Sequence, residues 1–451
     1  MSIGAVFGVL ALNVWVLCVG TAVVYGVRGW RGRHELARLG GVAYMAGVAS
    51  MGIVWTLQLI FGIRFSVLTI LLGGVLVVAV GVFLGRLRGR PASVPTPITA
   101  GLVTAVGAAA AIVYLEAQFR AARLAGLYEF DAWSFWVPKA KAIYYFGGLD
   151  HQFFHDLPGP SYPPLVPALI AAAFRFMGKP DEVTVHVQFA LLLVGFAAAV
   201  AGLLASRVRG VLLWPSLLFV LVTPQVVGSA VRPEGDFLLD ELFAVGVVLL
   251  ALWIADREDG FLPLATLLFA GAVLTKREGI VLVVCAILAG IAATWKDRRA
   301  IVRIAAAGAV AIAAIVPWRI FLAMRDLPGG GPEAGGTGLI SNIDRAWPSF
   351  RLAISTLFDF HIWLIVVPLF ICAVAVAQAL GDRRLAAFSA ALGLLCLAAF
   401  TWSTWAFPSL PITKQAALNP IGRFTGALVL AAAGLIPLLL SQPLEARWRR
   451  S

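Results

Sequence analysis

The sequence predicts an all-α polytopic membrane protein, and its composition is the first reason. The chain of 451 residues is 61% hydrophobic and 13% charged, with a mean hydropathy of +0.93. A soluble domain is about half apolar and about a quarter charged. Many apolar runs also approach the roughly 20 residues that cross a bilayer. The first run begins near residue 5 without a basic segment or a cleavage site before it, so we expect a retained helix rather than a signal peptide.

Clusters of basic residues predict which side of the membrane each loop occupies. Arg28, Arg31, Arg33 and Arg38 separate the first two apolar runs. Cytoplasmic loops carry an excess of Lys and Arg, so this loop is predicted inside and the N-terminus outside. With this orientation the net charge of +12 falls on the inner loops. The positive charge therefore needs no nucleic-acid partner to explain it.

The apolar run 165–177 is too short to cross and is predicted to lie along the outer membrane surface. It follows Tyr162, Pro163 and Pro164, which prevent a regular helix and can start one just after. If it does not cross, the later basic clusters all fall inside. The prediction is then about 13 spanning helices with this juxtamembrane helix in the first large external loop. The predicted spans are 5–27, 42–61, 67–85, 98–118, 184–205, 211–229, 237–255, 261–275, 279–295, 300–318, 360–380, 385–403 and 424–441.

The loops predicted outside hold the polar residues that could carry chemistry. We expect the chain to divide into 1–96, with helices of unassigned role, and 97–451, a transmembrane module that holds the polar external loops. The main external loops of the module are 119–183 and the glycine-rich 319–359, which is predicted to be mobile and to act as a lid. The four cysteines all lie in apolar runs, so we interpret them as small core residues rather than as disulfide or metal partners.

Glu129 and Asp131 stand two residues apart where the fourth apolar run reaches the predicted outer face. A carboxylate beside a bilayer is costly and often marks a site. One acid could act as a general base and the other could orient a hydroxyl or a cation. The alternative is that both balance Lys139 and Lys141 within an aromatic belt that includes Trp133. The residues alone leave the two interpretations equally open.

Two further polar stretches are predicted on the same outer side. Asp236 opens a span, and Asp240 and Glu241 lie one turn further in, where they need a cavity or a partner. The helix dipole is an alternative reason for acids at this helix start. The stretch Thr275-Lys276-Arg277-Glu278-Gly279 interrupts an apolar region, and its cations could bind a phosphate. A polar turn paired locally with Glu278 is the alternative.

Other polar residues are weaker candidates. Arg423 opens the last helix and could contact an anionic head group. Alternatively, its long aliphatic side chain could simply carry the guanidinium to the membrane–water interface. Lys414, Arg319 and Arg325 are candidates of the same kind. His151 and His155 have a spacing that a metal pair can use, but such a run is more often a polar surface loop. His186 and His361, near helix starts, are interpreted as structural.

The order of these motifs resembles the GT-C superfamily of integral-membrane glycosyltransferases, which includes the protein O-mannosyltransferases and the bacterial aminoarabinose transferase of lipid A. Asp131 in Glu129-Phe130-Asp131-Ala132-Trp133 matches the family's acid at the start of the first external loop. Tyr162-Pro163-Pro164-Leu165 resembles the approach to its juxtamembrane helix. Asp236, the turn Thr275–Gly279 and Gly422-Arg423-Phe424 are similar to later motifs. The chain departs from the family in having four helices, not one, before this loop, and no large soluble C-terminal domain.

The resemblance implies an inverting glycosyltransferase that moves a hexose or pentose from a polyprenyl-phosphate donor to an acceptor hydroxyl. Asp131 is then the catalytic base. The substrate-binding residues are Glu129, Trp133, Lys139, Tyr162, Asp236, Lys276, Arg277, Glu278 and Arg423. The acceptor is a glycan, a lipid or a protein, and membrane lipids surround the enzyme. No cofactor is required, although Glu129 and Asp131 are compatible with a divalent metal. The expected location is a bacterial inner membrane, with the site facing the periplasm.

Two other classes of protein remain open from the residues. A transporter or flippase of an anionic lipid-linked substrate would also carry charges within or beside its spans. It should show repeats and broken helices near the bilayer midplane, and the sequence shows no repeat. A non-catalytic scaffold on the same fold is the third interpretation, and in it Asp131 would be dispensable.

Overall fold

The computed structural model is helical throughout the part of the chain that it describes, which comprises residues 2–88, 101–149, 156–157, 159–327, 338–406 and 420–448. Helix accounts for 82% of the residues and no strand occurs among those described. The helices are α1 Ile3–Val27, α2 Gly32–Ile60, α3 Val67–Arg88, α4 Leu102–Leu124, α5 Val137–Phe146, α6 Leu165–Met177, α7 Val185–Leu204, α8 Gly210–Leu221, α9 Pro224–Ser229, α10 Gly235–Asp256, α11 Phe261–Thr275, α12 Glu278–Ala293, α13 Arg298–Ala313, α14 Val316–Met324, α15 Gly338–Ser341, α16 Ala346–Leu357, α17 Phe360–Trp363, α18 Val366–Leu380, α19 Arg383–Trp405 and α20 Pro420–Trp448.

Eight of these helical segments are long and apolar enough to cross a membrane: α1, α2, α3, α4, α7, α10, α13 with α14, and α19. Shorter apolar helices occupy the remaining predicted spans, namely α8, α11, α12, α18 and the Thr425–Ser441 part of α20. The chain is therefore a helical protein built for a membrane. The prediction of about 13 crossings stays a prediction for these shorter helices.

Several helices end or break at residues that cannot continue them. Pro224, which lacks a backbone N–H, starts α9 just after α8, within the predicted single run 211–229. Leu364 has a positive φ and separates α17 from α18. In contrast, α2 begins ten residues before its predicted apolar run, because polar residues continue the helix beyond the apolar segment. Apolar runs locate helices well but do not locate their ends.

The first three helices belong to the same core as the rest of the molecule. α1 packs against α2, α3 and α6, and α2 packs against α7 and α11. One continuous apolar cluster runs from Ala5 on α1 to Leu439 on α20. The predicted boundary at residue 96 lies outside the described residues, and the packing does not separate the helices on its two sides into independent units.

Helix α6 lies crosswise near one end of the bundle. Gly8 of α1 touches the backbone at Phe176, and Gly52 of α2 touches Leu165, so the two ends of α6 meet two antiparallel neighbours. At a rise of about 1.5 Å per residue, Gly8 lies about 8 Å from the start of α1, and Gly52 lies about 12 Å from the end of α2. The start of α1 and the end of α2 are on the same side of the bundle, so the two ends of α6 lie at similar depths. A 13-residue helix standing upright would separate its ends by about 20 Å. All of α6 except Arg175 and Phe176 is buried, because α5 and its neighbours cover it, so it is not exposed on a surface.

Ion pairs form two polar layers, one at each end of the bundle. The Arg28 layer contains Arg28, Glu35, Arg207, Asp256 and Glu258, joined by pairs of 2.5–3.1 Å. The Lys276 layer contains Glu129, Arg232, Asp236 and Lys276, with pairs of 2.9 Å and 2.7 Å. Among the described residues, each ion pair between helices joins groups predicted on the same side. The alternation predicted from the basic residues therefore agrees with the packing.

Candidate functional site

Tyr162 is the centre of the Lys276 layer and gathers three segments that are distant in sequence. Its ring stacks on Phe135, with centroids 5.8 Å apart, and lies 5.5 Å from the ring of Trp136. The Arg277 guanidinium carbon lies 4.8 Å from the ring centroid, and Lys276 Nζ lies 5.5 Å from it. These aromatic and cation–π contacts join the stretch after Asp131, the proline loop before α6 and the turn between α11 and α12.

The Lys276 ammonium is buried and paired with the first acid of α10. Lys276 Nζ donates to Asp236 Oδ1 over 2.7 Å, and the two side chains are only 6% and 11% exposed. Burial disfavours the charged ammonium, but the carboxylates of Asp236 and Glu278 outweigh burial and raise the pKa of Lys276. Gly235 permits this approach, since a Cβ there would come within 2.8 Å of Trp136 and 3.2 Å of the Lys276 stem. The pair is therefore a fixed, charged element of the site.

Lys139 is the least expected feature of the site, because it is only 1% exposed. Its Nζ donates to the Gly159 carbonyl over 2.5 Å and lies 5.2 Å from the Phe135 ring centroid. Burial, together with the nearby charge of Arg277, lowers the pKa of Lys139 to about 7. Lys141, by contrast, pairs with Glu182 at the surface. Of the two lysines after the tryptophans, only Lys139 therefore belongs to the buried site.

Asp131 stands at the start of a π-helical turn, Ala132–Trp136, that continues directly into α5. Such turns are rare and are frequent at functional sites. On one side of Asp131, Glu129 pairs with Arg232 over 2.9 Å, close to the start of α10. On its other side, Phe135 and Trp136 reach Tyr162. Asp131 is partly exposed, and the residues before it and after it in the chain both contact the Lys276 layer.

The remaining predicted site residues lie at different distances from this centre. Trp133 is half exposed and packs edge-to-face on exposed Phe130, with centroids 5.3 Å apart. Glu278 lies within electrostatic range of Tyr162. Burial of the Tyr162 hydroxyl and the nearby negative charge of Glu278 both raise the pKa of Tyr162. The side chain of Arg423 lies outside the described part of the chain. His151, His155 and Lys414 also lie outside the described residues.

A small cavity with a mixed polar and apolar lining lies beside the Lys276–Asp236 pair. The carboxylates of Glu234, Asp236 and Asp240 line it, with Gln225 and Ser229 of α9. Asp240 also touches the last helix, since a Cβ on Gly426 would fall 2.1 Å from Asp240 Oδ2. Within the described residues, no group of three metal-ligating side chains is close enough to hold a metal ion.

Three contributors to the site stand outside the predicted site residues, and one of them, Arg319, was named only as a weaker candidate. Trp136 is fully buried against Gly235 and Tyr162. Trp318 fixes the proline loop by donating its indole N–H to the Ser161 carbonyl over 3.0 Å. Arg319 lies within electrostatic range of Arg277. A tryptophan in an apolar chain resembles core or interface in sequence, so only the fold identifies these partners.

Comparison with known proteins adds no relative, because no family model, no curated protein and no solved structure matches the chain.

Proposed function

We propose that the chain is an inverting glycosyltransferase that uses a polyprenyl-phosphate sugar donor and acts at the Lys276 layer. The observation that carries this proposal is a set of cations on one aromatic stack at one end of an apolar bundle: Lys276 and Arg277 over the Tyr162 ring, and Lys139 over the Phe135 ring that stacks on it. A phosphate with a long lipid tail needs cations at membrane level and access between helices. The motif order that resembles the GT-C superfamily supports the same class.

In the proposed reaction, the Asp131 carboxylate takes the proton from an acceptor hydroxyl. The hydroxyl oxygen attacks the anomeric carbon, and the bond from that carbon to the phosphate oxygen breaks with inversion. The lipid phosphate leaves with the electron pair, and its negative charge is stabilised by the cations already held in place. The cations at this site are Lys276, which is paired with Asp236, together with Arg277 and the protonated form of Lys139.

Replacement of Asp131 by Asn tests the proposal directly. The purified protein in lipid nanodiscs would be supplied with a radiolabelled polyprenyl-phosphate sugar and a membrane extract as acceptor source. Loss of a general base typically lowers a rate by about 10²–10⁴-fold, so we expect Asp131→Asn to be inactive in this assay. Glu182→Gln, at the same end of the bundle but in a surface pair, is the matched control. Wild-type turnover by correctly folded Asp131→Asn would rule the mechanism out.

A transporter or flippase of an anionic lipid-linked substrate is the second candidate. The observation favouring it is the row of acids on α10, Asp236, Asp240 and Glu241, which continues from the Lys276 layer into the buried interior. Acidic residues inside membrane spans often mark ion pathways. A fluorescent polyprenyl phosphate in proteoliposomes distinguishes the candidates: protein-dependent exchange between leaflets without sugar transfer would favour transport.

A further inference from the structure

Three polar side chains form a hydrogen-bonded group in the apolar interior, away from both polar layers. Asn13 of α1 donates to Gln188 of α7 over 2.7 Å, and Gln188 donates back to Asn13 over 3.0 Å. The hydroxyl of Tyr44 on α2 donates to the Asn13 side-chain oxygen and accepts from Gln188 over 3.4 Å. Their mutual bonds satisfy these groups and join the first two helices to α7.

Glu241 lies beside this group and is not satisfied. It is 0% exposed, and neither of its carboxylate oxygens has a hydrogen-bond partner in the described part of the chain. It is within electrostatic range of Tyr44 and of Asp240, its neighbour on α10. On the helices packed against α10, the titratable groups away from the Arg28 end are Tyr44, His186, Lys276 at the end of α11, Glu278, Cys285, Cys396 and Arg423, whose side chain is outside the described part. None of the described ones forms an ion pair with Glu241.

A bare carboxylate in such a place is physically untenable. The desolvation of an unpaired charge costs far more than a folded protein can spare, so a buried acid takes up a counter-charge or a proton. Lys276, at the end of the neighbouring α11, is already paired with Asp236. Among the described side chains, none supplies the positive charge that an ionised Glu241 would need.

We propose that Glu241 is a binding site for one monovalent cation, a proton or Na⁺, inside the membrane-spanning bundle. The Tyr44 hydroxyl is the oxygen of that group that lies within electrostatic range of Glu241. On the outer side, Asp240, which precedes Glu241 on the same helix, lines the small cavity at the Lys276 layer. The site is independent of glycosyl transfer and would stand if Asp131 proved dispensable.

Infrared spectroscopy of the full-length protein in nanodiscs tests the site. In sodium-free buffer at pH 7, exposed carboxylic acids are ionised. We expect the wild type to show the carbonyl band of a protonated carboxylic acid, and Glu241→Gln to lose that band. Asp240→Asn is the matched control, because it removes the neighbouring acid and leaves Glu241. Absence of a Glu241-dependent band in sodium-free buffer would overturn the proposal.

Titration with salt identifies the ion. If Na⁺ occupies the site, adding NaCl at constant pH should reduce the Glu241-dependent band severalfold, whereas an equal concentration of choline chloride should not. If the ion is a proton, both salts should leave the band unchanged. Labelling by a hydrophobic carbodiimide, mapped by mass spectrometry, gives a second readout: it should modify Glu241 in the wild type and decrease as pH rises or, for a sodium site, as Na⁺ is added. A band of undiminished intensity in Glu241→Gln would assign the proton to another acid and refute the site.

Discussion

Lys276 combines two roles at the scale of a single residue, since it neutralises a buried acid and faces the ring of Tyr162. Its bond to Asp236 is a charge-assisted hydrogen bond in a nearly dry environment. Removing one member of such a pair leaves the other charge uncompensated, which costs more than the pair itself contributes. A single alanine substitution therefore changes both stability and ligand binding, and the experiment has to separate them.

We expect Lys276→Ala to weaken binding of the lipid-phosphate donor by about ten- to a hundredfold, the range for one charge-assisted hydrogen bond. Acceptor dependence should change much less. Steady-state kinetics with each substrate varied in turn measures both. The double variant Lys276→Met with Asp236→Asn removes both charges and so avoids an unpaired acid. If donor dependence is unchanged in this folded double variant, Lys276 has no role at the phosphate.

Lys139 predicts a pH dependence of donor binding. With a pKa of about 7 in the free protein, its ammonium is charged below that pH and neutral above it. A bound phosphate favours the charged form and raises this pKa, so binding above pH 7 takes up a proton. Donor affinity should be highest below pH 7 and fall by up to about tenfold per pH unit above it, until the pKa of the complex is reached.

Two variants assign this pH dependence to Lys139. Lys139→Arg keeps a charge at all these pH values and should flatten the profile, whereas Lys139→Met should bind weakly throughout. Lys141→Ala, in the surface pair, should retain the wild-type profile. A wild-type profile in folded Lys139→Met would assign the titration to a different group.

The sequence predicted which polar residues lie together better than it predicted their burial and their contacts. Asp236, Lys276, Arg277 and Tyr162 were all named from their motifs, and the structure brings them together. The burial of Lys139 could not be predicted, because a lysine next to tryptophans has the same pattern at a membrane interface. The hydrogen-bonded group around Asn13 could not be predicted either, because its members come from three helices and no local sequence pattern joins them.

At the scale of helices, glycines determine how closely α6 approaches α1. A Cβ on Gly8 would lie 2.4 Å from the Phe176 carbonyl oxygen, whereas a Cβ on Gly4 meets nothing within 4 Å. Both glycines occupy the same helix, so their intrinsic effects on helix stability are comparable. Any difference between alanine substitutions at the two positions therefore reports on the contact with α6.

Gly8→Ala should destabilise the protein by roughly 1–3 kcal/mol, because the neighbour is backbone and cannot move aside cheaply. Gly4→Ala should be neutral or slightly stabilising, because alanine favours helix. Thermal unfolding followed by size-exclusion chromatography in detergent compares the two. Equal stabilities would show that α6 does not rest on α1 at this point.

Helix identity was readable from the sequence, but helix ends and the π-helical turn were not. Each predicted apolar run corresponds to helix in the structure, since a span must satisfy its own backbone hydrogen bonds. The break at Pro224 was foreseeable from the proline itself, whereas the break at Leu364 depends on tertiary packing. The turn Ala132–Trp136 adds one residue per turn to a helix and leaves no recognisable signature in composition.

At the scale of the whole molecule, the proposed function depends on one topological feature: α6 must not cross. If it crossed, the segments before and after it would lie on opposite sides, and Asp131 would be separated from Lys276. The ion pair between Glu129 and Arg232 joins these segments directly. The crosswise contacts of α6 with Gly8 and Gly52 support the same arrangement.

Cysteine accessibility in intact cells tests both this feature and the orientation. In a variant whose four native cysteines are replaced by alanine, single cysteines would be placed at three exposed positions: Tyr145 before α6, Lys179 after α6 and Asp259 in the Arg28 layer's loop. We expect a membrane-impermeant maleimide to label Tyr145→Cys and Lys179→Cys from outside, and Asp259→Cys only after permeabilisation, because the basic loops are retained inside. Labelling of only one of Tyr145→Cys and Lys179→Cys would mean that α6 crosses the membrane. Labelling of Asp259→Cys alone in intact cells would mean that the orientation is inverted and that the proposed site faces the cytoplasm.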